Sequence, residues 1–124
     1  MSLAADGITV RLGAREALRQ FTVSVKPGEL VAVAGANGAG KSTALRALAG
    51  LLTPVTGTVT LDGRALDQID RAELGRAIAY LPQDRTVHWG LSVYNVVALG
   101  RLPHKSFSSG PGVKDATAVQ AAMK

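Results

Sequence analysis

Residues 29–52, ELVAVAGANGAGKSTALRALAGLL, constrain this chain more than any other stretch, because an apolar run, a glycine loop and a helical period follow one another without a break. Val31, Ala32, Val33 and Ala34 read as a short strand buried on both faces, the pattern of a parallel sheet. The chain must then leave that strand and wrap an anion. Gly35, Ala36, Asn37, Gly38, Ala39, Gly40, Lys41 and Ser42 satisfy GxxxxGK[ST], with Thr43 as a further hydroxyl, and both flanks supply the context that the pattern needs.

The chemistry of such a loop follows from its residue types. Backbone amides around Gly38 and Gly40, with the start of a helix at Lys41, present donors and a positive dipole end to phosphate oxygens. Lys41 is placed to reach the β- and γ-phosphates, the Ser42 hydroxyl to complete the shell of a magnesium ion, and Thr43 to donate near the α-phosphate. Ala44, Leu45, Leu48, Leu51 and Leu52 read as the inward face of the following helix, which extends until Thr53 and Pro54 stop it.

Composition narrows the alternatives. With no cysteine among 124 residues, disulfide frameworks, thiolate zinc sites and cysteine nucleophiles are excluded, which fits a reducing compartment. The N-terminus lacks the basic and apolar regions of a secretory signal, and no apolar run approaches the ~18 residues of a spanning helix. Net charge is +5, but the basic residues are scattered and aromatics make up only 4%, too few for a base-stacking platform. A nucleic-acid partner is therefore not expected.

Along the chain, Ile8, Val10 and Leu12 alternate with polar residues as a half-buried strand, and Gly13 to Arg15 turn. Phe21, Val23 and Val25 form a second strand ended by Pro27 and Gly28. The two are expected to pair antiparallel. Thr56 and Gly57 read as a turn, Val59 and Leu61 as a strand closed by Asp62 and Gly63, and Asp70 as the N-cap of a short helix ending near Gly75. Ile78 to Leu81 read as another buried strand that Pro82 cannot extend, leaving Gln83 at a strand end. Residues 85–90 are loop-like, Ser92 caps a helix through Leu99 closed by Gly100, residues 105–114 read as a linker, and Asp115 caps a final helix. Neither His88 nor His104 has a partner at metal-ligand spacing.

The order VSVKPGELVAVAGANGAGKSTALRALAGLLTPVTGTVTLDG, then IAYLPQD, resembles the N-terminal part of the ATP-binding subunits of ABC transporters, and LSVYNVVALGRLPH, residues 91–104, resembles the subgroup that imports iron chelates, haem or cobalamin. The resemblance implies an α/β P-loop NTPase of RecA-like type, with an N-terminal antiparallel β-subdomain and the start of a helical subdomain, as an incomplete domain. It places the β-subdomain and phosphate-binding core at 1–84 and the helical part at 85–124. It implies ATP and Mg2+ as cofactors, with Ser42 and Gln83 as metal-side residues. Gln83 is carried over as the glutamine that contacts the magnesium and the attacking water. The implied partners are a second ATP-binding subunit, packed head to tail, and membrane permease subunits. The implied location is the cytoplasmic face of the membrane, reached through the permease and without direct insertion.

The sequence departs from that family in two respects. The first-strand aromatic that stacks on adenine is replaced by Leu12, which implies weaker and less selective base recognition. The LSGGQ-like signature, the Asp-Glu strand and the switch histidine have no counterpart: FSSGPG at 107–112 carries Pro111 where the second glycine belongs, and TVTLDG follows the loop helix too closely. The chain thus reads as about the first half of a subunit, expected to turn over negligibly alone. A non-catalytic nucleotide-binding module and a small P-loop kinase are the alternatives, the latter opposed by the spacing from TGTVTLDG to YLPQD.

Overall fold

The computed structural model describes residues 1–84, 90–104 and 112–124. They fall into two compact units, Met1–Asp70 and Arg71–Lys124.

In the first unit, β1 (Leu3–Leu12) and β2 (Arg15–Val25) form the expected antiparallel hairpin. It begins earlier on β1 and covers more of β2 than the alternation suggested. β3 (Thr56–Leu61) pairs with the other edge of β1, and the short β4 (Arg64–Ala65) completes a four-stranded sheet of order β2-β1-β3-β4. Ile8, Thr9 and Val10 are all buried, against the alternation read from sequence, because the β1–β2 register shifts on both sides of Ile8 and again after Val10. The Thr9 hydroxyl accepts a hydrogen bond from the Gln20 amide at 3.2 Å, which satisfies the polar group that the bulge turns inward.

Asp62 and Gly63 form the turn between β3 and β4, with φ of 49° and 80°, the double left-handed geometry that suits a two-residue hairpin. Thr56 and Gly57, expected as a turn, lie instead inside β3. A Cβ at Gly57 would run into the backbone of Asp6 and Gly7, so the glycine permits β1 and β3 to cross closely.

The loop helix is α1 (Lys41–Leu48). Ala44, Ala47 and Leu48 are buried against Ala5, Ile8, Val10, Leu18 and Val59, while Leu45 and Leu51 are 47% and 56% exposed. The inward stripe is therefore the i, i+3, i+4 set 44, 47 and 48, with Leu52 packed at its edge, and Leu45 turns away from it. The helix also ends earlier than Thr53. Gly50 takes φ 71°, the Gly50 amide donates to Ala47 O at 3.0 Å and the Leu51 amide donates to Arg46 O at 2.9 Å, the paired bonds of a Schellman motif.

Two expected strands are absent. Residues 30–34 and 78–81 belong to no sheet, and Leu30 is 98% and Leu81 75% exposed. Their apolar runs are those of two-sided parallel strands, and such a strand needs ladders to neighbours that the described residues do not supply.

The described residues of the second unit are helical: α2 (Arg71–Ala77), α3 (Val93–Leu99) and α4 (Val113–Ala122), with a 3₁₀ turn at Leu102–His104. α2 continues past Gly75, which sits against the Pro103 ring, while the Arg76 guanidinium donates to Pro103 O at 2.7 Å. Ser92 caps α3 as expected, its hydroxyl accepting from the Asn95 amide at 3.2 Å. Gly100 follows in right-handed conformation, so the chain passes directly into the 3₁₀ turn. α4 begins at Val113 and so takes in the end of the expected linker. Asp115 is its third residue rather than its cap: one carboxylate oxygen accepts from the Gly112 amide at 3.3 Å and the other from Arg101 Nε at 2.8 Å. FSSGPG, apart from Gly112, lies outside the described residues.

Candidate nucleotide-binding site

The site is built where α1 leaves the loop. Gly40 is the helix N-cap at φ 92°, with no side-chain cap, and no acidic residue occupies the first turn. The first amides of α1 therefore keep their donors, and the positive end of the helix is not offset locally. Gly40 cannot carry a side chain here. A Cβ would lie 2.5 Å from Ala17 O and 3.2 Å from Leu18 Cδ1, so the loop leans on the backbone of β2 through this glycine. Nothing in the loop motif announces that contact, because its partner lies more than twenty residues earlier in the chain.

Upstream, Gly35 has φ 156° and Gly38 φ 82°, and the Ala39 amide donates to Ala36 O at 3.2 Å, which tightens the turn through Asn37. Lys41 Nζ folds back across the loop and donates to Gly35 O at 2.8 Å and Ala36 O at 2.7 Å. These neutral carbonyls hold the ammonium without cancelling its charge. Ser42 follows, exposed, whereas Thr43 is only 8% exposed. The set of one ammonium, one exposed hydroxyl and free helix-end amides fits an oxygen-rich polyanion and the hard cation that accompanies it.

The remaining predicted residues lie apart from this cradle in sequence. Leu12 ends β1 at the hairpin tip, 46% exposed. Gln83 belongs to the second unit, exposed in the segment after α2. His104 ends the 3₁₀ turn and His88 lies outside the described residues. Among the described residues no cluster of three or more His, Asp or Glu could hold a metal, and no helix is long and apolar enough to cross a membrane.

An uncapped helix springing from Gly40, packed on an antiparallel sheet and preceded by a lysine-crossed loop, defines a P-loop nucleotide-binding protein. The family model described as ABC transporter matches residues 18–124, and the chain belongs to that family, carrying the N-terminal part of its ATP-binding domain. It is 44% identical over 101 residues to the hemin import ATP-binding protein HmuV of Pseudomonas entomophila, covering 82% of this chain and 40% of that protein. It is 43% identical over 104 residues to the cobalamin import ATP-binding protein BtuD of Halobacterium salinarum, covering 84% of this chain and 26% of that one. The chain thus spans well under half the length of these relatives. Among solved structures, a bacterial Atm1-family ABC exporter with ATP bound superposes with a TM-score of 0.72 at 30% identity, over 98% of this chain and 21% of that one. A dimeric ATP-binding cassette in a post-hydrolysis state superposes at 0.77 with 23% identity, over 98% and 55%, and supports the fold.

Proposed function

We propose that this chain is the nucleotide-binding portion of an importer ATPase that couples ATP binding and hydrolysis to uptake of haem, cobalamin or an iron chelate. The observation that carries the reading is the Lys41 ammonium held across Gly35 O and Ala36 O at the mouth of an uncapped helix. Residues 35–43 hold the triphosphate, with loop and helix amides on its oxygens and Lys41 moving from the loop carbonyls to the β- and γ-phosphates. Ser42 is the hydroxyl suited to Mg2+, and Gln83 the side chain suited to the metal and the attacking water. A bound Mg2+ would neutralise phosphate charge. The haem and cobalamin classes are taken from the HmuV and BtuD relatives and the iron chelates from the 91–104 resemblance.

In this reading the chain works against a second ATP-binding subunit and beside membrane permease subunits, at the inner face of the membrane. Phosphoryl transfer depends on charges aimed at the γ-phosphate and on a positioned water. Residues 1–124 supply the cradle and Gln83, so the chain alone binds nucleotide weakly at best and turns it over negligibly. The test is titration of the chain with ATP and Mg2+, with Lys41→Ala as control and phosphate release followed in parallel. Binding that Lys41→Ala weakens at least tenfold, without sustained release, is expected; equal binding by both proteins, or steady Lys41-dependent release, overturns the corresponding half of the reading.

A further inference from the structure

The chain holds two asparagines, Asn37 and Asn95, and their chemical settings are opposite. An asparagine is lost when the backbone nitrogen of the next residue attacks its side-chain amide carbon, so the surroundings of that nitrogen decide its lifetime. Asn95 lies in α3 and is followed by Val96, whose branched side chain crowds the nitrogen and whose amide donates to Ser92 O at 3.1 Å. Asn37 is followed by Gly38, and nothing lies within 4 Å of where a Gly38 side chain would stand. Both residues are exposed, and neither the Asn37 side chain nor the Gly38 amide has a hydrogen bond among the described residues.

The turn that carries them permits the attack. The Ala39 amide donates to Ala36 O, Gly38 has φ 82° and Asn37 is not among the positive-φ residues, which together make a type II turn. In such a turn the Asn37–Gly38 peptide plane takes no part in the closing hydrogen bond. It can rotate to bring the Gly38 nitrogen over the Asn37 amide carbon, because glycine accepts φ of either sign. We propose that Asn37 is a self-modification site, at which the phosphate loop deamidates while no nucleotide holds it and so loses affinity for nucleotide; this consequence rests on the nucleotide-binding reading above. The Gly38 nitrogen, its proton passed to solvent base, bonds to Asn37 Cγ and ammonia leaves, giving a five-membered cyclic imide. Water then opens the ring at either carbonyl, which leaves an aspartate at 37 or an isoaspartate whose main chain is longer by one methylene. Either product sets a carboxylate one residue beyond Ala36, whose carbonyl receives the Lys41 ammonium at 2.7 Å. A carboxylate there competes for Lys41 and repels a triphosphate. Bound nucleotide opposes the reaction in turn, since loop amides that hold phosphate oxygens fix the peptide planes and stop the rotation that ring closure needs.

The test incubates the whole chain in mildly alkaline buffer, alone and with ATP and Mg2+, and follows both asparagines by peptide mapping with mass detection and by enzymatic methylation of isoaspartate. Conversion is expected to be complete at Asn37 while Asn95 is intact. ATP at about ten times its Kd leaves about a tenth of the chain free and should slow the conversion about tenfold. The aged chain and freshly made Asn37→Asp should both bind ATP about tenfold or more weakly than the fresh chain. Asn37→Gln, whose extra methylene disfavours ring closure, should keep on incubation whatever affinity it starts with. Three results overturn the proposal: Asn37 and Asn95 converting together, conversion at Asn37 that bound ATP leaves unslowed, or an aged chain that binds as the fresh one does. Failure of the nucleotide reading is separate and recognisable, because the fresh chain would then bind no ATP while Asn37 still converts.

Discussion

Gly40 carries two constraints at one position, a backbone at φ 92° and an approach to Ala17 O that leaves no room for a methyl group. Gly40→Ala should therefore destabilise the first unit by about 2 kcal/mol or more, since either the dihedral or the β2 contact must give way. Chemical denaturation would report the loss, and nucleotide affinity should fall with it because the helix amides would be displaced. At the far side of the same unit, Asp62 accepts from the Ser2 amide at 2.6 Å and from the Ser2 hydroxyl at 3.2 Å, while its own amide donates to Ser2 O at 2.8 Å. The Ser2 amide bond, aided by the nearby N-terminal charge, holds the Asp62 carboxyl below its ordinary value despite some opposing desolvation. A depressed carboxylate stabilises the fold fully above its unfolded pKa, here near 3.8, and that contribution is lost as pH falls through the folded value. Asp62→Asn tolerates the left-handed turn but lacks the charge. Its melting temperature should lie below that of the unsubstituted chain at pH 7, and the gap should close in acid as pH falls through the folded value; a gap that persists once the carboxyl is protonated would assign the effect to turn geometry.

At the scale of elements, what was legible in the sequence was whatever depends on local order. The glycine loop, the β1–β2 hairpin, the Asp62–Gly63 turn and the Ser92 cap all follow from residues within a few positions of one another. Ser92→Ala should cost about 1 kcal/mol, a large share for a seven-residue helix, and amide exchange at Asn95 and Val96 should accelerate. The end of α1 was misplaced: Thr53 and Pro54 read as the stop, whereas Gly50, nearer the last helical turn, ends the helix. Gly50→Ala, at φ 71°, should cost about 1–2 kcal/mol by the same denaturation measurement. Contacts set by distant partners were not legible. The bulges of β1, the Ser2–Asp62 clasp, the Ala17–Gly40 approach and the Arg101–Asp115 pair each join residues that no local pattern links. Asp115 shows why a local reading goes astray: an acid ahead of an apolar run suits both the cap and the third helical position, and only the amide it accepts from tells them apart.

Across the whole molecule, the apolar stretches at 30–34 and 78–81 carry the sequence of buried parallel strands without the sheet that would bury them. Leu30 at 98% and Leu81 at 75% exposure are what a two-sided strand presents when no described neighbour pairs with it. Unpaired backbone beside apolar side chains is a template for association with another chain. The chain should therefore self-associate as its concentration rises, and the 30–34 segment should be the seat of it. Leu30→Lys places a charge on a side chain that packs against nothing, so it should suppress association seen by light scattering while leaving the melting transition of the first unit unmoved. Association that Leu30→Lys leaves unchanged would move the sticky segment elsewhere, with Leu81→Lys the next variant to make. A monodisperse monomer with a cooperative transition at high concentration would mean that the exposed strand residues are covered in solution, and with them the route by which a neighbouring strand could join the cradle.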